Sequence, residues 1–369
     1  MKRVALLTTS FLPTVAGTEI EIYQIAKRLS LHYKVDLYIP SNYAFHLDFN
    51  ESFKIKKIPA ILISLIFHLN KVGIKANIFR SLIFNIFITN KYDKYLCFFI
   101  YPTGHIYGLD KVCSKLILIP QGVDVQVDQE TNYGFCLDKF YKKIVRDLIL
   151  CASKTFYMGE AMRKSIIDLA KHEASIRFCP TATNHSKIDS ISVDKNETFT
   201  ILTACRNSPK KNLKVIPTVI EELDRQKFKF KWILIGSGMK DLYFKPGLEK
   251  YYSIIDPIYL QNDELEFPPA ELIRYYKSAD CFVFPSLSEG MSLTTLDIMA
   301  SRVPIICGNV PGITDLLDHS SCFMANITSP IDIANKIIRV GTQGSEQVTE
   351  AAYRLSLQYS WNRVEEIYR

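Results

Sequence analysis

A chain of 369 residues has room for two to three domains, and 48% hydrophobic with 22% charged residues excludes intrinsic disorder as a description of the whole. Dividing the formal charge of +7 at residue 190 leaves 25 Lys+Arg against 16 Asp+Glu before it, a net +9, and 20 against 22 after it, a net −2. So uneven a split points to two bodies with different partners, one of them anionic.

Lys2 and Arg3 precede an apolar run, but Val4 to Leu7 is only four residues long before Thr8, Thr9 and Ser10, so the pattern predicts a strand rather than a signal peptide. Thr18 to Ser30 carries Ile20, Tyr23, Ile25, Ala26 and Leu29 at helical spacing, and Tyr33 to Pro40 resumes a strand. Strand, glycine-bearing loop, helix and strand make a βαβ unit, which implies a parallel sheet with a right-handed crossover. The longest uncharged apolar stretch, Ile58 to Asn70, has 13 residues, short of the roughly 20 that a spanning helix needs. Further strands are predicted at Tyr95 to Tyr101, Lys115 to Ile119 and Asp147 to Ala152. Residues 181–198 are polar and aperiodic and read as a linker.

A second α/β series follows: strand Thr198 to Cys205, helix Asn212 to Gln226, strand Lys231 to Gly236, helix Ala270 to Ser278 and strand Asp280 to Pro285. It continues with helix Ser292 to Ser301, strand Pro304 to Gly308 and helices beyond Asp332. Pro217 fits only within the first turn of its helix, where a missing N–H is tolerated. Nine cysteines without a C-x-x-C pair suit buried, reduced thiols in a cytosolic protein. The expected fold class is α/β, with two tandem Rossmann-like domains and an interdomain cleft at the carboxyl ends of both sheets, where open α/β sheets bind ligands.

The stretch from Ala279 to Leu317 carries the densest chemistry. Its strand ends at Pro285, a loop holds Glu289 and Gly290, and Met291, Ser292 and Leu293 lead into a helix whose first N–H groups suit an anion such as phosphate. Glu289 and Asp297 place two carboxylates near that point, suited to hydroxyl groups; capping the helix is their plainer use. Upstream, Arg206 and Lys211 lie in the loop leaving a strand, where fixed cations can stabilise a departing anion or merely face solvent. Gly236, Ser237 and Gly238 follow strand KWILI, and a tight strand exit explains them equally well.

The 279–317 stretch resembles the nucleotide-sugar signature of retaining GT-B glycosyltransferases of the family 4 type, through Pro285, Ser286, Glu289, Gly290, Leu293, Met299, Ala300 and Pro304, then Gly312 and Asp315. The sequence departs from that pattern at Met291-Ser292, in place of Phe-Gly, at Asp297, in place of a second Glu, and at Arg302, in place of Gly. The resemblance implies that Glu289 contacts the donor sugar, that Asp297 contacts the ribose, and that Arg206 and Lys211 hold the diphosphate. It likewise implies that Gly236 and Gly17 lie in glycine turns at the donor, with Ala16 where many members have a second glycine. His105 is the nearest candidate for a histidine beside the reacting hydroxyl, and Gln121 stands where many members have His. Tyr359-Ser360-Trp361 resembles the motif preceding a last helix that crosses back to the first domain.

These readings give domains at 1–185 (acceptor side), 186–350 (nucleotide-sugar side) and 351–369 (a returning terminal helix). The expected activity is metal-independent, retaining transfer of a sugar, of the hexosyltransferase type, from a nucleoside-diphosphate sugar to a glycan or lipid-linked acceptor. No cofactor, no metal site and no nucleic-acid partner is expected, and no D-x-D triplet occurs. The setting implied is bacterial surface polysaccharide (lipopolysaccharide, O-antigen or capsule) synthesis in the cytoplasm. Apolar runs among Lys71, Lys75, Arg80, Lys91 and Lys94 suit an anionic membrane surface at the inner face of the cell membrane, or equally an ordinary core helix with a basic face. A nucleotide-sugar epimerase and a non-catalytic sugar- or lipid-binding scaffold are the alternatives.

Overall fold

The structure, a computed structural model, describes residues 1–11, 17–42, 52–72, 74, 76–129, 132–173, 175–257 and 267–369. Ala16 and Lys75 lie outside the described residues. The chain divides into two units, Met1–Pro180 with Glu365–Arg369, and Thr181–Val364.

Seven strands form the sheet of the first unit: β1 (Arg3–Leu7), β2 (Lys34–Pro40), β3 (Lys54–Ile58), β4 (Lys94–Phe98), β5 (Leu116–Ile119), β6 (Lys154–Tyr157) and β7 (Ile176–Phe178). They lie in the order β3-β2-β1-β4-β5-β6-β7, every pairing parallel. The inner strands are near-continuous apolar runs because a parallel sheet is covered on both faces, and β5, LILI, is buried along its whole length. β3, KIKKI, pairs only with β2 and exposes Lys54, Lys56 and Lys57, charges that keep an edge strand from pairing with another chain.

Six parallel strands build the second unit: β8 (Thr200–Ala204), β9 (Lys231–Ile235), β10 (Tyr252–Ile255), β11 (Cys281–Phe284), β12 (Ile305–Cys307) and β13 (Phe323–Met324), ordered β10-β9-β8-β11-β12-β13. Trp232 is fully buried in its core, and the indole N–H donates to the Thr203 hydroxyl at 3.2 Å. In each sheet the strand order reverses beside the first strand, at β1/β4 and at β8/β11. Such a reversal leaves a ligand-sized crevice at the carboxyl ends.

Several expectations need correction. Asp147 to Ala152 is no strand: it ends the helix Lys139–Cys151, which Asp138 caps by accepting from Phe140 N–H at 2.7 Å and which buries Val145, Leu148 and Ile149 on one face. The strand predicted to run to Tyr101 stops at Phe98, because Phe99 takes φ +64° and the chain turns into a helical segment, Ile100–Gly104. Residues 181–198 are not all linker, since Asn184 caps a short helix, His185–Ser190. Gly17 is not in a loop but opens the helix Gly17–Leu29. Of the terminal stretch, only Glu365–Arg369 clusters with the first unit, where Tyr368 donates to Glu21 at 3.4 Å and the last carbonyl accepts from Tyr33 at 2.9 Å. The all-reduced reading of the cysteines fails at one pair. The end of helix Lys139–Cys151 brings Cys151 to a Cα–Cα distance of 5.1 Å from Cys113, and the two form a disulfide. The other seven are free.

Gly236 ends β9 at φ +142°, and a Cβ there would sit 2.0 Å from the Cys205 carbonyl oxygen. Gly247 has a comparable φ of +92° with nothing within 4 Å of that position. Gly236→Ala is therefore expected to lower the melting temperature well beyond the effect of Gly247→Ala, which carries only the backbone strain of about 1–3 kcal/mol. Equal losses in thermal melts would refute the packing account.

Candidate functional site

At the carboxyl edge of the second sheet three loops meet where the strand order reverses. The loop leaving β8 runs from Cys205 through Arg206 into a short turn, Pro209–Lys211, closed by Lys211 N–H on the Ser208 carbonyl at 2.9 Å. Asn207 ties this loop to the glycine turn after β9, its backbone N–H donating to Ser237 O at 2.9 Å and its side-chain amide to Gly238 O at 2.9 Å. The loop leaving β11 joins from the other side, with Leu287 N–H donating to Lys210 O at 2.8 Å.

Across that junction Lys211 Nζ donates to Glu289 Oε1 at 2.6 Å, and the side chains are 21% and 10% exposed. The ammonium also lies 4.7 Å from the centroid of the Phe284 ring, a contact that adds to its fixation. One of the three ammonium N–H donors serves Glu289, which leaves donor capacity for an anion. Glu289 is held from behind: its N–H donates to Pro311 O at 3.1 Å. Gly312, at φ +83°, lets the next loop pass so close that a Cβ would fall 2.2 Å from Glu289 O and 2.4 Å from Gly290 O. Arg206 is exposed on the same loop as Lys211.

The helix Leu293–Ala300 begins at this edge, with the Ser292 hydroxyl accepting from Thr295 N–H at 3.2 Å. Gly290 is exposed, Met291 buried, and Ser292 and Leu293 half-buried. Asp297, for which the resemblance implies a ribose contact, lies inside the second unit. It is 1% exposed, accepts a 2.5 Å hydrogen bond from the Thr183 hydroxyl on Oδ1 and has no hydrogen-bond partner at Oδ2. Burial pushes its carboxyl up to about 7, against a smaller lowering by Thr183. Ser286 Oγ and Thr295 Oγ1 are likewise buried without a hydrogen-bond partner. Thr183 lies in the polar, aperiodic stretch 181–198, where the one sign of it in the sequence is the run TAT ahead of the Asn184 cap.

In the first unit His105 is 5% exposed. Its Nε2 lies 3.4 Å from Asn70 Oδ1, and its carbonyl accepts from Arg80 Nε at 2.6 Å. Arg80 also binds Asp110 at 2.7 Å, and these groups line a cavity of about 270 Å³ together with Asn77 and Asp147. Gln121, met where a histidine was looked for, accepts from the Thr18 hydroxyl at 2.8 Å. Sequence reasoning also missed Ser10, whose hydroxyl donates to the buried Glu19 carboxylate. Thus Arg206, Lys211, Gly236, Glu289 and the Gly290–Leu293 segment converge in one unit, whereas Gly17 and His105 belong to the other.

Residues 198–343 match the family model described as glycosyl transferases group 1. Among curated relatives, the α-monoglucosyldiacylglycerol synthase of Streptococcus pneumoniae is 26% identical over 46% of this chain and 38% of its own length. A sulfoquinovosyl transferase of Arabidopsis thaliana is 27% identical over 41% of this chain and 28% of its own. The chain thus spans well under half of either relative. Solved structures match it end to end. Sucrose-phosphate synthase of Thermosynechococcus elongatus superposes with a TM-score of 0.73 at 13% identity, covering 100% of this chain and 97% of that one. HepE of Anabaena, solved with UDP and glucose, gives 0.70 at 14%, covering 100% and 98%. At such identities the likeness establishes the fold, which is GT-B.

The raised Asp297 carboxyl makes a pH prediction. Its folded value near 7 lies above the ordinary 3.8, so the stability tied to its neutral form is complete below about pH 4 and is lost as pH rises through 7. Asp297→Asn keeps an acceptor for Thr183 and cannot ionise. Its melting temperature should match the parent near pH 4 and exceed it by a growing margin from pH 5 to 8; a pH-independent difference would refute the buried-carboxyl account.

Proposed function

We propose that this chain, a GT-B protein whose segment 198–343 carries the glycosyl transferases group 1 domain, is a retaining, metal-independent hexosyltransferase that uses a nucleoside-diphosphate sugar. The observation that carries the reading is the Lys211–Glu289 contact at the sheet's reversal point. It sets a cation for a diphosphate beside a carboxylate for sugar hydroxyls. Two of the structural neighbours, HepE of Anabaena and trehalose-6-phosphate synthase of Escherichia coli, were solved with UDP-glucose and UDP-2-fluoro-glucose, which supports a nucleotide-sugar donor.

In this mechanism the bond between the anomeric carbon and the diphosphate oxygen breaks, and its electron pair leaves with the diphosphate. Lys211 and Arg206 stabilise the charge that develops there, as fixed cations aimed at a departing anion do. Glu289 orients the sugar. The acceptor hydroxyl adds to the same face, and its proton passes to the departing phosphate oxygen, so no side-chain base is required. Asp297, buried against Thr183, braces the donor helix in this conformation and would meet a ribose only after rearrangement.

The acceptor proposed is a glycan or lipid-linked glycan of a bacterial surface polysaccharide, assembled at the inner face of the cytoplasmic membrane. No helix among the described residues is long and apolar enough to cross a membrane. Support for peripheral binding comes from Ile61, Val72, Ile74, Ile78 and Ile86, which are 52–83% exposed along one stretch of chain. Lys71 and Lys91 stand within that stretch or close after it, a combination suited to anionic lipid.

With a panel of UDP-, GDP- and ADP-sugars, nucleotide release should depend on a glycan or lipid-linked acceptor. Release without one would favour an epimerase, and no turnover or binding of any donor would overturn the enzyme reading. Lys211→Ala and Glu289→Gln should each lower turnover on the order of 10²-fold with folding retained. Separately, the protein should float with phosphatidylglycerol vesicles and not with phosphatidylcholine ones, and Ile61→Ser/Ile78→Ser/Ile86→Ser should abolish flotation; equal recovery of that variant would end the membrane proposal.

A further inference from the structure

Six of the seven free cysteines are buried and Cys205 is half-buried, whereas Cys113 and Cys151, also half-buried, are joined to each other. Their bond sits at the amino ends of the first unit's strands. Cys113 opens a turn, Cys113–Lys115, that leads directly into β5, and Cys151 ends the helix Lys139–Cys151, three residues before β6. In a parallel sheet this edge is opposite the carboxyl-end crevice, so the bond lies away from a ligand seated there.

The backbone already ties these two stretches together without sulfur. Ser153 N–H donates to Cys113 O at 3.0 Å and to Leu116 O at 2.9 Å, and the Ser153 hydroxyl donates to Leu116 O at 2.6 Å. Val145, Leu148 and Ile149 bury one face of the helix. Opening the bond therefore leaves β5, β6 and the helix in place and releases chiefly the turn that precedes Cys113. That turn carries Asp110, whose carboxylate binds Arg80 at 2.7 Å. The Asp110 carbonyl oxygen lies 3.1 Å from Cys113 Sγ and 4.0 Å from Cys151 Sγ. An oxygen so placed can accept from either sulfur once that sulfur carries a proton, so the reduced state has a partner in position. Asp110 and Arg80 line the cavity of about 270 Å³ together with Asp147 and Leu148 of the bonded helix. The disulfide thus fastens one wall of the cavity to another.

We propose that Cys113 and Cys151 form a reversible redox site, opened by a dithiol reductant and closed by glutathione disulfide, that fixes or frees the Asp110 wall of this cavity. In the cytoplasm thiols are kept reduced, and the disulfides that do form there are transient or redox-sensing; the proposal takes that setting from the function proposed above. In opening, a thiolate of the reductant attacks one sulfur, and the S–S bond breaks with its electron pair going to the other cysteine, which takes up a proton. The reductant's second thiol then displaces the first cysteine, which is protonated in turn, and the reductant leaves as its own disulfide. Two electrons and two protons end on the protein. Closing runs the exchange backward, and glutathione disulfide leaves as two glutathione thiols.

The test keeps the full chain native and needs neither donor nor acceptor. After equilibration in glutathione buffers from fully reduced to fully oxidised, free thiols are trapped with N-ethylmaleimide and the peptides are mapped by mass spectrometry. The linked Cys113–Cys151 peptide should dominate at the oxidised end, disappear without denaturant at the reduced end and return when the buffer is reversed. Amide hydrogen exchange at 108–115, where Lys111 N–H bonds Gly108 O and Lys115 N–H bonds Val112 O, should rise on the order of tenfold on reduction as local opening becomes easier. Exchange in β5 and β6 should not change. Cys113→Ser/Cys151→Ser should show the fast rate in both buffers, and Cys113→Ala alone supplies the same open state should the double variant fold poorly. The redox site is overturned if the linked peptide never forms, if dithiothreitol cannot open it in the native chain, or if opening it leaves exchange at 108–115 unchanged. None of these outcomes touches the donor reading, which fails instead on absent nucleotide-sugar binding and turnover.

Discussion

The contact between Lys211 and Glu289 ties together the loops at the carboxyl edge of the second sheet. Each residue sits on a loop leaving a different strand, β8 and β11, so their 2.6 Å separation depends on the order in which those strands pair. The pairing brings opposite charges together where neither is fully in water, which makes loss of either partner more disruptive than in an exposed pair. The contact that fixes these two charges also closes the junction between the two loops. Two glycines set the tolerance. Gly236 lets β9 end against Cys205 O, and Gly312 lets the β12 loop pass behind Glu289.

Much of this was legible in the sequence, for identifiable reasons. Parallel strands buried on both faces are written as unbroken apolar runs, so β1, β2, β5, β8, β9 and β11 stand out by composition. Glu289, Lys211, Arg206 and Gly236 could be found because each lies just past the end of such a run. The misread segments were those in which composition and period disagree. Residues 147–152, DLILCA, look like a strand in isolation, and only the longer repeat of Val145, Leu148 and Ile149 with the Asp138 cap reveals a helix. Short strands such as β3, β6, β7, β10 and β13 carry lysines or too few residues to register. The Cys113–Cys151 pairing could not be inferred, because 38 residues separate its ends and only the fold brings them together.

The loop leaving β8 carries Arg206, Lys210 and Lys211, whereas Val4 to Ala26, which includes β1 and the start of the following helix, contains no Lys or Arg. The overall charge runs the other way, +9 before residue 190 and −2 after it. Net charge thus says little about what either edge binds. The excess cations of the first half lie elsewhere, on the β3 edge at Lys54, Lys56 and Lys57 and around the exposed isoleucines between Ile61 and Ile86. Bulk charge speaks to surfaces and encounter; a ligand's class is set by the few groups at the strand ends.

Asp297 is a carboxylate that serves packing from within the second unit. A carboxylate that is 1% exposed and bound to Thr183 holds the helix Leu293–Ala300 from within, while its Oδ2 remains buried without a hydrogen-bond partner. A buried carboxylate oxygen without a partner is costly in a finished core. The cost of burying the charge is what raises the Asp297 carboxyl, and the Thr183 bond offsets only part of it. The acid at this position and the threonine bound to it form one device: a helix at the sheet's carboxyl edge braced from within by a hydrogen bond.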